Sequence, residues 1–385
     1  MVQNLPIGKE LNYITFDNPV SLSFAGSDPA GFIEQLPPDK LNIIDEVQLA
    51  PELFRYFKMA IDKKRLAAKD RVLYLLTGSA NIFALPKLAD ALVGRMAILT
   101  LHPFSASEIK GTGINFVEKL WNADLCPTKY TRAKLVDIIA NSTSPELALD
   151  KKKDRNIWFN GYITTILQRD VRTLADIKNP EYIYQLLVSF SQRAGGLLNN
   201  ANVMKETGFD AKTYDKYKAL CSSTFLIFEL PSWSRPNKLN KRFVKQKKLY
   251  FTDTNLLMFL MQRDMEEIYK SDTTVMGHIF ENFIASEIMK AANSLGPYSV
   301  SHFNPVQYQG REVDFVIENP KGEAIGIEVK LSGTIDEADW ANMNALKETL
   351  GNKFNKGIIV YTGTELMQVA RNIWAVPVNY LWEKD

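Results

Sequence analysis

An aspartate, a glutamate and a lysine near the C-terminus are spaced so that their side chains could together catalyse cleavage of a phosphodiester bond. Residues 310–318 (GREVDFVIE) and 325–330 (IGIEVK) alternate apolar and charged side chains with the period of a β-strand. A turn-forming Asn-Pro-Lys-Gly sequence separates them, so we expect a hairpin with Asp314 opposite Glu328 and Lys330 on the same face. Side chains of these types could hold a divalent metal and activate a water.

A third carboxylate, Glu281, lies in a predicted helix three and seven residues before Ile284 and Ile288. This spacing places it on the apolar stripe of the helix, where a carboxylate needs a partner or a metal. We therefore predict that Glu281, Asp314 and Glu328 hold Mg²⁺. The alternative is a hairpin with one solvated face that carries a simple cross-strand ion pair.

The spacing of Asp314, Glu328 and Lys330 resembles the core of the PD-(D/E)xK nuclease superfamily, which also places a carboxylate on a preceding helix. The resemblance implies a restriction-nuclease-like mixed α/β domain and a magnesium-dependent deoxyribonuclease activity. In that activity Lys330 would position the attacking water or stabilise the developing phosphate charge. The alternative is a domain that keeps this fold as a non-catalytic binding module.

Polar residues also follow two apolar runs near the N-terminus. Residues 41–44 lead into Asp45 and Glu46, and residues 72–76 lead into a segment that contains Ser79 and Asn81. In a Walker B arrangement Asp45 would hold magnesium and Glu46 would polarise the attacking water, while a polar residue after the second strand would sense the γ-phosphate. The alternative for each run is a buried strand followed by a helix cap.

Several segments together resemble a bacterial and archaeal family of predicted AAA-type ATPases. They are YITFD (13–17), IIDEVQ (43–48), LTGSAN (76–81), LVGR (92–95), QRDVR (168–172), LYFTDT (249–254) and GREVDFVIE (310–318). The resemblance covers residues from about 11 to 382 and implies a P-loop domain that binds ATP and Mg²⁺, a winged helix and a nuclease-like domain. By this resemblance Arg95 would contact phosphate or complete a neighbouring subunit's site in a homo-oligomer. The alternative is a surface arginine.

The chain lacks the phosphate-binding sequence that this family carries. No G-x-x-x-x-G-K-[ST] occurs in it, and Gly8-Lys9 is followed by Glu10 without an upstream glycine or a hydroxyl residue. A P-loop cradles phosphates with backbone N–H groups and a lysine. We therefore expect the chain to begin after that unit, through a late start or a truncated gene. We also expect no tight ATP binding unless the missing loop is supplied.

The middle of the chain predicts a winged helix. Residues 200–208 form a short helix closed by glycine, Asp210 caps a second helix, and two strands follow. If this module binds DNA, the second helix and the basic ribbon would contact it through Lys212, Lys216, Lys241, Arg242, Lys245, Lys247 and Lys248. The alternative is a packing or protein-interaction module.

Composition is ordinary for a globular protein. The net charge of +2 over 385 residues gives no global signature of nucleic-acid binding, so any DNA contact must be local. Cys126 and Cys221 have no metal-type spacing and predict a reducing compartment. No secretory signal or run of roughly 18 apolar residues occurs, so we expect a cytoplasmic protein without membrane contact.

The expected fold class is therefore α/β. We predict a truncated P-loop (AAA-type) parallel-sheet domain over 1–110 and a helical linker over 111–179. A winged helix over 180–265 and a restriction-nuclease-like mixed α/β domain over 266–385 would follow. The function predicted from this organisation is an AAA-family ATPase-like, DNA-binding and nuclease-like protein. The alternative is a nucleotide-regulated switch or partner-recognition module without catalysis.

Overall fold

The computed structural model describes residues 10–66, 74–79, 81, 94–171, 179–234, 246–304 and 312–384. The chain divides into two compact units. The first contains residues 1–99, 163–181 and 219–225, and the second contains residues 100–162, 182–218 and 226–385. Among the helices that the described ranges contain, none combines the length and the apolar character that a membrane span requires.

A parallel sheet forms the centre of the first unit. Its strands β1 (Leu11–Thr15), β2 (Leu41–Asp45) and β3 (Tyr74–Leu76) lie in that order, with Ile44 paired to both Ile14 and Leu76. Helices α1 (Pro19–Ser27), α2 (Pro29–Glu34) and α3 (Leu53–Leu66) accompany it. The buried core contains Phe16, Ile44, Val47, Leu53, Phe54 and Phe57. The predicted buried strand that ends at Asp45 is confirmed, as is the parallel sheet.

Short helices run from the end of the predicted N-terminal domain (1–110) into the segment 111–179 that we predicted as a helical linker, with one small strand among them. They are α4 (Ala106–Ile109), α5 (Phe116–Asn122), α6 (Leu135–Asn141), α7 (Pro145–Leu149) and α8 (Arg155–Thr165). Strand β4 (Thr128–Lys129) lies between α5 and α6, and a π-helical turn over Ile166–Asp170 follows α8. The linker is therefore mostly helical, but the prediction missed β4.

Helices and a two-stranded ribbon follow. They are α9 (Glu181–Ser191), α10 (Asn200–Thr207), α11 (Ala211–Ser223), β5 (Ile227–Leu230), β6 (Lys248–Phe251), α12 (Thr254–Met261) and α13 (Met265–Ser271). Gly208 ends α10 with φ of 74°, and the Asp210 carboxylate accepts the Thr213 N–H at the start of α11. The ribbon is antiparallel and pairs Leu230 with Lys248.

The C-terminal part is a mixed sheet with two long helices. Helix α14 (Thr273–Leu295) precedes strands β7 (Ser299–Phe303), β8 (Val313–Glu318) and β9 (Ala324–Lys330). After them come α15 (Glu337–Leu350), β10 (Phe354–Tyr361), β11 (Glu365–Ala370) and β12 (Ile373–Pro377). The sheet order is β4-β11-β12-β10-β9-β8-β7, and the β9–β10 and β10–β12 pairs are parallel.

The predicted β8–β9 hairpin is present with the predicted register. Phe315 pairs with Ile327 and Ile317 with Ile325 in an antiparallel ladder. Asn319 makes the turn, accepting the Gly322 N–H on its carbonyl and the Lys321 N–H on its side chain. Most side chains of both strands are buried, so the alternative of a hairpin with one fully solvated face does not hold.

Candidate functional site

The hairpin register brings the predicted carboxylates of the second unit together. Asp314 directly precedes Phe315 and Glu328 directly follows Ile327, so the antiparallel Phe315–Ile327 pair places Asp314 opposite Glu328. The Val329 N–H donates to Asp314 Oδ2 at 2.9 Å, which fixes the orientation of the carboxylate. The side chains of Glu281, Asp314 and Glu328 are 15%, 14% and 9% exposed. The charge of Asp314 acts on both Glu281 and Glu328, so the structure places the three predicted carboxylates in one electrostatic group.

A lysine that we predicted to bind DNA lies between two of these carboxylates, those of Glu281 and Asp314. Lys248 Nζ donates to Glu281 Oε1 at 2.9 Å and to Asp314 Oδ1 at 3.0 Å. It also lies 2.6 Å from Glu312 Oε1, a close charge contact without hydrogen-bond alignment. The lysine side chain is only 4% exposed, so it is not available to a phosphate backbone. The assignment of Lys248 to nucleic-acid contact is therefore corrected: it is an ion-pair partner inside the site.

Tyr250 completes the surroundings of Glu281. Its hydroxyl donates to Glu281 Oε1 at 2.7 Å, two residues after Lys248 on the same face of β6. The sequence analysis assigned no role to Tyr250 or Glu312. A usable signal was present, since Lys248 and Tyr250 alternate with the apolar Leu249 and Phe251 as a strand with one polar face would.

Lys330 lies beside Glu328, as predicted. Its Nζ is 3.2 Å from Glu328 Oε1 and 3.9 Å from Asp339 Oδ1, and its side chain is 31% exposed. The other oxygen of Glu328, Oε2, is buried and has no hydrogen-bond partner within the described ranges. Lys330 is thus the more accessible of the two lysines, at the rim of the group.

Burial and mutual repulsion shape the protonation of this group. Burial, with the nearby Asp314 charge, raises the pKa of Glu281 to about 7 and the pKa of Glu328 well above its usual range. Burial alone would lower the pKa of Lys248. The charge of Asp314, supported by Tyr250, Glu281 and Glu312, instead raises that pKa well above its ordinary value. Lys248 therefore stays an ammonium ion.

This arrangement does not fit the predicted magnesium site. The Lys248 ammonium contacts the oxygens of Glu281 and Asp314 that a metal would need. In the part of the chain that the structure describes, no group of three or more His, Cys, Asp and Glu side chains has a metal-binding arrangement. Magnesium ligation by Glu281, Asp314 and Glu328 stays a prediction that this geometry does not support.

A second polar group lies at the carboxyl edge of the N-terminal parallel sheet. Asp45, at the end of β2, accepts a 2.6 Å hydrogen bond from the Tyr13 hydroxyl and a short one from the Thr77 hydroxyl. Burial would raise the pKa of Asp45, but the bonds from Thr77 and Tyr13 outweigh it and lower the pKa. The carboxylate is therefore ionised at neutral pH. Sequence reasoning assigned no role to Tyr13 or Thr77, although Thr77 directly follows β3.

Glu46 follows Asp45 in a left-handed backbone conformation, with φ of 56°. Its carboxylate accepts a short hydrogen bond from the Gln48 amide, which also contacts Ser79 Oγ at 3.2 Å. Gln48 is buried, and a Cβ at Gly78 would collide with its Oε1. The structure thus brings Glu46 and Ser79 to one place through Gln48, a residue that sequence reasoning did not select.

The other residues predicted to bind nucleotide have protein partners here. The Asn81 N–H donates to the Ser223 carbonyl at 2.8 Å. Arg95 makes a two-pronged ion pair with Asp62, at 2.6 Å from Nε and 3.0 Å from one terminal nitrogen. Both assignments stay predictions, and in this state the Arg95 guanidinium is committed to Asp62.

The predicted nucleic-acid residues fall into distinct environments. Lys212 and Lys216 are exposed one turn apart on α11. Lys247 pairs with Glu229 at 3.1 Å, and Lys218 pairs with the same carboxylate. The remaining three, Lys241, Arg242 and Lys245, lie outside the described residues.

Comparisons with known proteins support the N-terminal interpretation. Residues 1–110 match the model of an AAA domain, which indicates an AAA-family, ATPase-like N-terminal domain. Residues 132–267 and 276–381 match two domains of unknown function (DUF8612 and DUF4143). The chain is 24% identical over 381 residues to an uncharacterised protein of Mycobacterium tuberculosis H37Rv, covering 97% of this chain and 76% of the relative. An uncharacterised protein of Mycobacterium bovis matches to the same extent.

Proposed function

We propose that this chain is an AAA-family ATPase-like protein in which the carboxyl edge of β1–β3 is the magnesium and water side of a nucleotide site. The observation that carries the proposal is Asp45, an ionised carboxylate fixed by Tyr13 and Thr77 beside Glu46. Ligands of open parallel sheets bind outside the carboxyl ends of the strands, where these residues lie. The match of this region to an AAA domain supports the same assignment.

The residues at this edge fit one half of a nucleotide site. Asp45 has the oxygen donors that magnesium prefers, and Glu46 is placed to orient a water. When bound, magnesium would neutralise charge on the phosphates. The phosphate cradle is not encoded in these 385 residues. The site that can be assigned is therefore incomplete, and weak nucleotide binding follows.

A titration of Mg-ATP into the protein tests this proposal. We expect an affinity no better than about millimolar, equivalent to roughly −4 kcal/mol, because backbone N–H groups and a P-loop lysine are missing. Asp45→Asn should remove the residual binding, whereas Asp39→Asn, which changes an exposed carboxylate of the same unit, should not. Micromolar affinity would contradict the incomplete site. Equal binding by the natural chain and Asp45→Asn would contradict the role of Asp45.

For the rest of the chain we propose a winged helix over 180–265 and a nuclease-like fold over 266–385 that acts in recognition and not in cleavage. The order of α10, α11, β5 and β6 supports the winged helix. The β7–β8–β9–α15–β10 order supports the nuclease-like fold, while the Lys248 ammonium among its carboxylates argues against metal-dependent cleavage. A duplex-DNA cleavage assay with Mg²⁺ and Mn²⁺ tests this: cleavage lost in Asp314→Ala and Lys330→Ala would overturn it.

We propose DNA as the partner, on the basis of two exposed lysines on α11. Lys212 and Lys216 are exposed on the second helix of the proposed winged helix, the element that enters the major groove in this class of module. The other described basic candidates, Lys247 and Lys248, are held by carboxylates. Among the described candidates, the proposed DNA contact is therefore electrostatic and rests on Lys212 and Lys216.

A further inference from the structure

The C-terminal carboxylate cluster, which we define as Glu281, Glu312, Asp314 and Glu328, already contains a cation from the chain itself. Lys248 Nζ lies 2.9 Å, 2.6 Å and 3.0 Å from oxygens of Glu281, Glu312 and Asp314. A divalent ion bound by these oxygens would lie among them at about 2.0–2.6 Å from each. The ammonium and the metal would thus need the same space, and only one of them can be there.

The cluster retains acceptor capacity that Lys248 does not use. Glu328 is 7% exposed, and its Oε2 has no hydrogen-bond partner among the residues that the structure describes. The charges of Asp314 and Lys248 both act on this carboxyl group, so it belongs to the same electrostatic site. A buried carboxylate oxygen without a donor is costly, and a bound cation is one way to satisfy it.

The backbone of the strand that carries Lys248 is paired on both sides. Its backbone pairs with Leu230 of β5 on one side and forms a bridge with Leu197 on the other. The flanking residue Leu249 accepts the Gly195 N–H at 2.9 Å. Gly195, with φ of 81°, runs so close to Glu281 that an added Cβ would lie 3.3 Å from Oε2. These contacts fix the backbone position from which Lys248 presents its ammonium to the cluster.

We propose that Lys248 is a built-in cation that closes the carboxylate cluster to divalent metals, and that removing its ammonium turns the cluster into a divalent-cation site. Strand β6 lies in the 132–267 domain and the carboxylates lie in the 276–381 domain, so the contact couples the state of one domain to the chemistry of the other. This inference rests on the proposed non-catalytic role of the C-terminal domain. It is independent of the nucleotide proposal for Asp45.

The carboxylate ligands define the class of metal. Carboxylate oxygens are hard ligands that suit Mg²⁺, Ca²⁺ and Mn²⁺. Replacing Lys248 with methionine keeps an unbranched side chain but removes one positive charge from a buried group of acids. The remaining acids then need a different counter-charge, because unpaired buried charges are strongly unfavourable.

Titration of Mn²⁺ followed by electron paramagnetic resonance, which reports free ion, tests the inference. We expect that the natural chain shows no Mn²⁺ binding that is lost in Asp314→Asn. Lys248→Met should gain at least a tenfold higher affinity than the natural chain, and Lys248→Met/Asp314→Asn should lose that gain. Lys290→Met is the matched control, since Lys290 is also a buried lysine paired with a buried carboxylate, Glu287. It should gain no binding.

Binding of Mn²⁺ by the natural chain that Asp314→Asn abolishes would overturn the inference. A folded Lys248→Met chain without Mn²⁺ affinity would overturn it as well. If Lys248→Met does not fold, Lys248→Met/Glu281→Gln removes one of the repelling charges and is tested in its place. If neither variant folds, the natural chain decides: absence of Asp314-dependent binding supports the inference and its presence refutes it. The Mg-ATP titration is unaffected by any of these outcomes.

Discussion

Lys248 shows how one side chain changes the chemistry open to a set of acids. Glu281, Asp314 and Glu328 have the types that a metal-dependent nuclease needs, yet a buried ammonium already pairs with Glu281 and Asp314. Buried ion pairs of this kind contribute little net stability, because desolvation offsets the attraction, but breaking one is costly. The residue is thus better understood as fixing which cation the site accepts than as a stabilising contact.

The raised pKa of Glu281 makes a prediction about pH. Burial and Asp314 raise it from an ordinary 4.5 to about 7, so between these values the folded chain binds a proton that the unfolded chain does not. Folding stability linked to Glu281 is therefore fully present below pH 4.5 and is lost as the pH rises to about 7. Lys248 and Tyr250 donate hydrogen bonds to this carboxyl group, and the charge of Asp314 acts on it.

Urea unfolding at several pH values measures this effect. Glu281→Gln should remove a negative slope of stability against pH in the window between about 4.5 and about 7. Glu229→Gln is the control. Burial would raise the pKa of Glu229, but Lys218 and Lys247 lower it. The folding stability linked to Glu229 therefore changes at a pH below this window, and the substitution should leave the slope inside the window unchanged. An unchanged slope in Glu281→Gln would show that Glu281 does not titrate there.

Residue types and spacing on one strand pair were enough to select Asp314, Glu328 and Lys330. The period-two pattern fixed their common face, and Glu281 followed from its position on an apolar helix stripe. Lys248 was assigned wrongly because it ends a basic run, residues 241–248, that resembles a phosphate-binding ribbon. Its partners are far away in the sequence, and local charge patterns carry no information about such contacts.

At the scale of elements, the approach of α15 to the sheet depends on two glycines. A Cβ at Gly326 of β9 would lie 2.5 Å from Met343 Sδ and 2.6 Å from Leu346 Cδ2. A Cβ at Gly357 of β10 would lie 2.6 Å from Met343 Cγ. The helix therefore packs directly on the backbone of the two parallel strands, and this packing supports the strand that bears Glu328 and Lys330.

We predict that Gly326→Ala destabilises the protein by about 1–3 kcal/mol, the usual cost of overpacking a close-packed core. Met343→Ala truncates a buried core side chain and is itself destabilising. In its background Gly326→Ala should cost less than in the natural chain, because one of the two side chains that the new methyl group meets is gone. Gly333→Ala is the matched control, since nothing lies within 4 Å of its added Cβ. Chemical denaturation gives these values, and equal stability of Gly326→Ala and Gly333→Ala would refute the packing argument.

The elements with strong local patterns were predictable and the weak ones were not. Strand β2 and the β8–β9 hairpin have apolar runs or clear alternation, and both were found. Strand β4 has two polar residues, Thr128 and Lys129, and exists only because it pairs with Leu366 and Glu365 of β11. A pairing between such distant segments is a tertiary contact that overrides local propensity.

At the scale of the whole molecule, charge limits what the protein can bind. A net charge of +2 over 385 residues provides no general attraction to nucleic acid. Two described carboxylate groups, Glu229 and the C-terminal cluster, also hold Lys247, Lys218 and Lys248. Within the described ranges, DNA binding would then rest on exposed lysines such as Lys212 and Lys216.

The salt dependence of DNA binding measures that number directly. Each phosphate contact contributes a slope of about −0.9 to the logarithm of affinity against the logarithm of salt concentration. We predict that Lys212→Glu/Lys216→Glu weakens binding to a labelled DNA duplex by at least tenfold. The slope of log affinity against log salt should become shallower by the amount that corresponds to about two phosphate contacts. Both lysines lie on one face of α11, so a single groove or backbone segment can meet them together.

Lys151→Glu/Lys152→Glu provides the matched control, because it reverses the same charge at two exposed lysines between α7 and α8. If binding is only a response to total charge, both double variants weaken it equally, and the winged-helix contact is refuted. If Lys212 and Lys216 form the contact, only their variant changes the slope. If the natural chain binds no duplex at low salt, the DNA proposal is refuted. The exposed face of α11 would then be proposed to bind a protein partner.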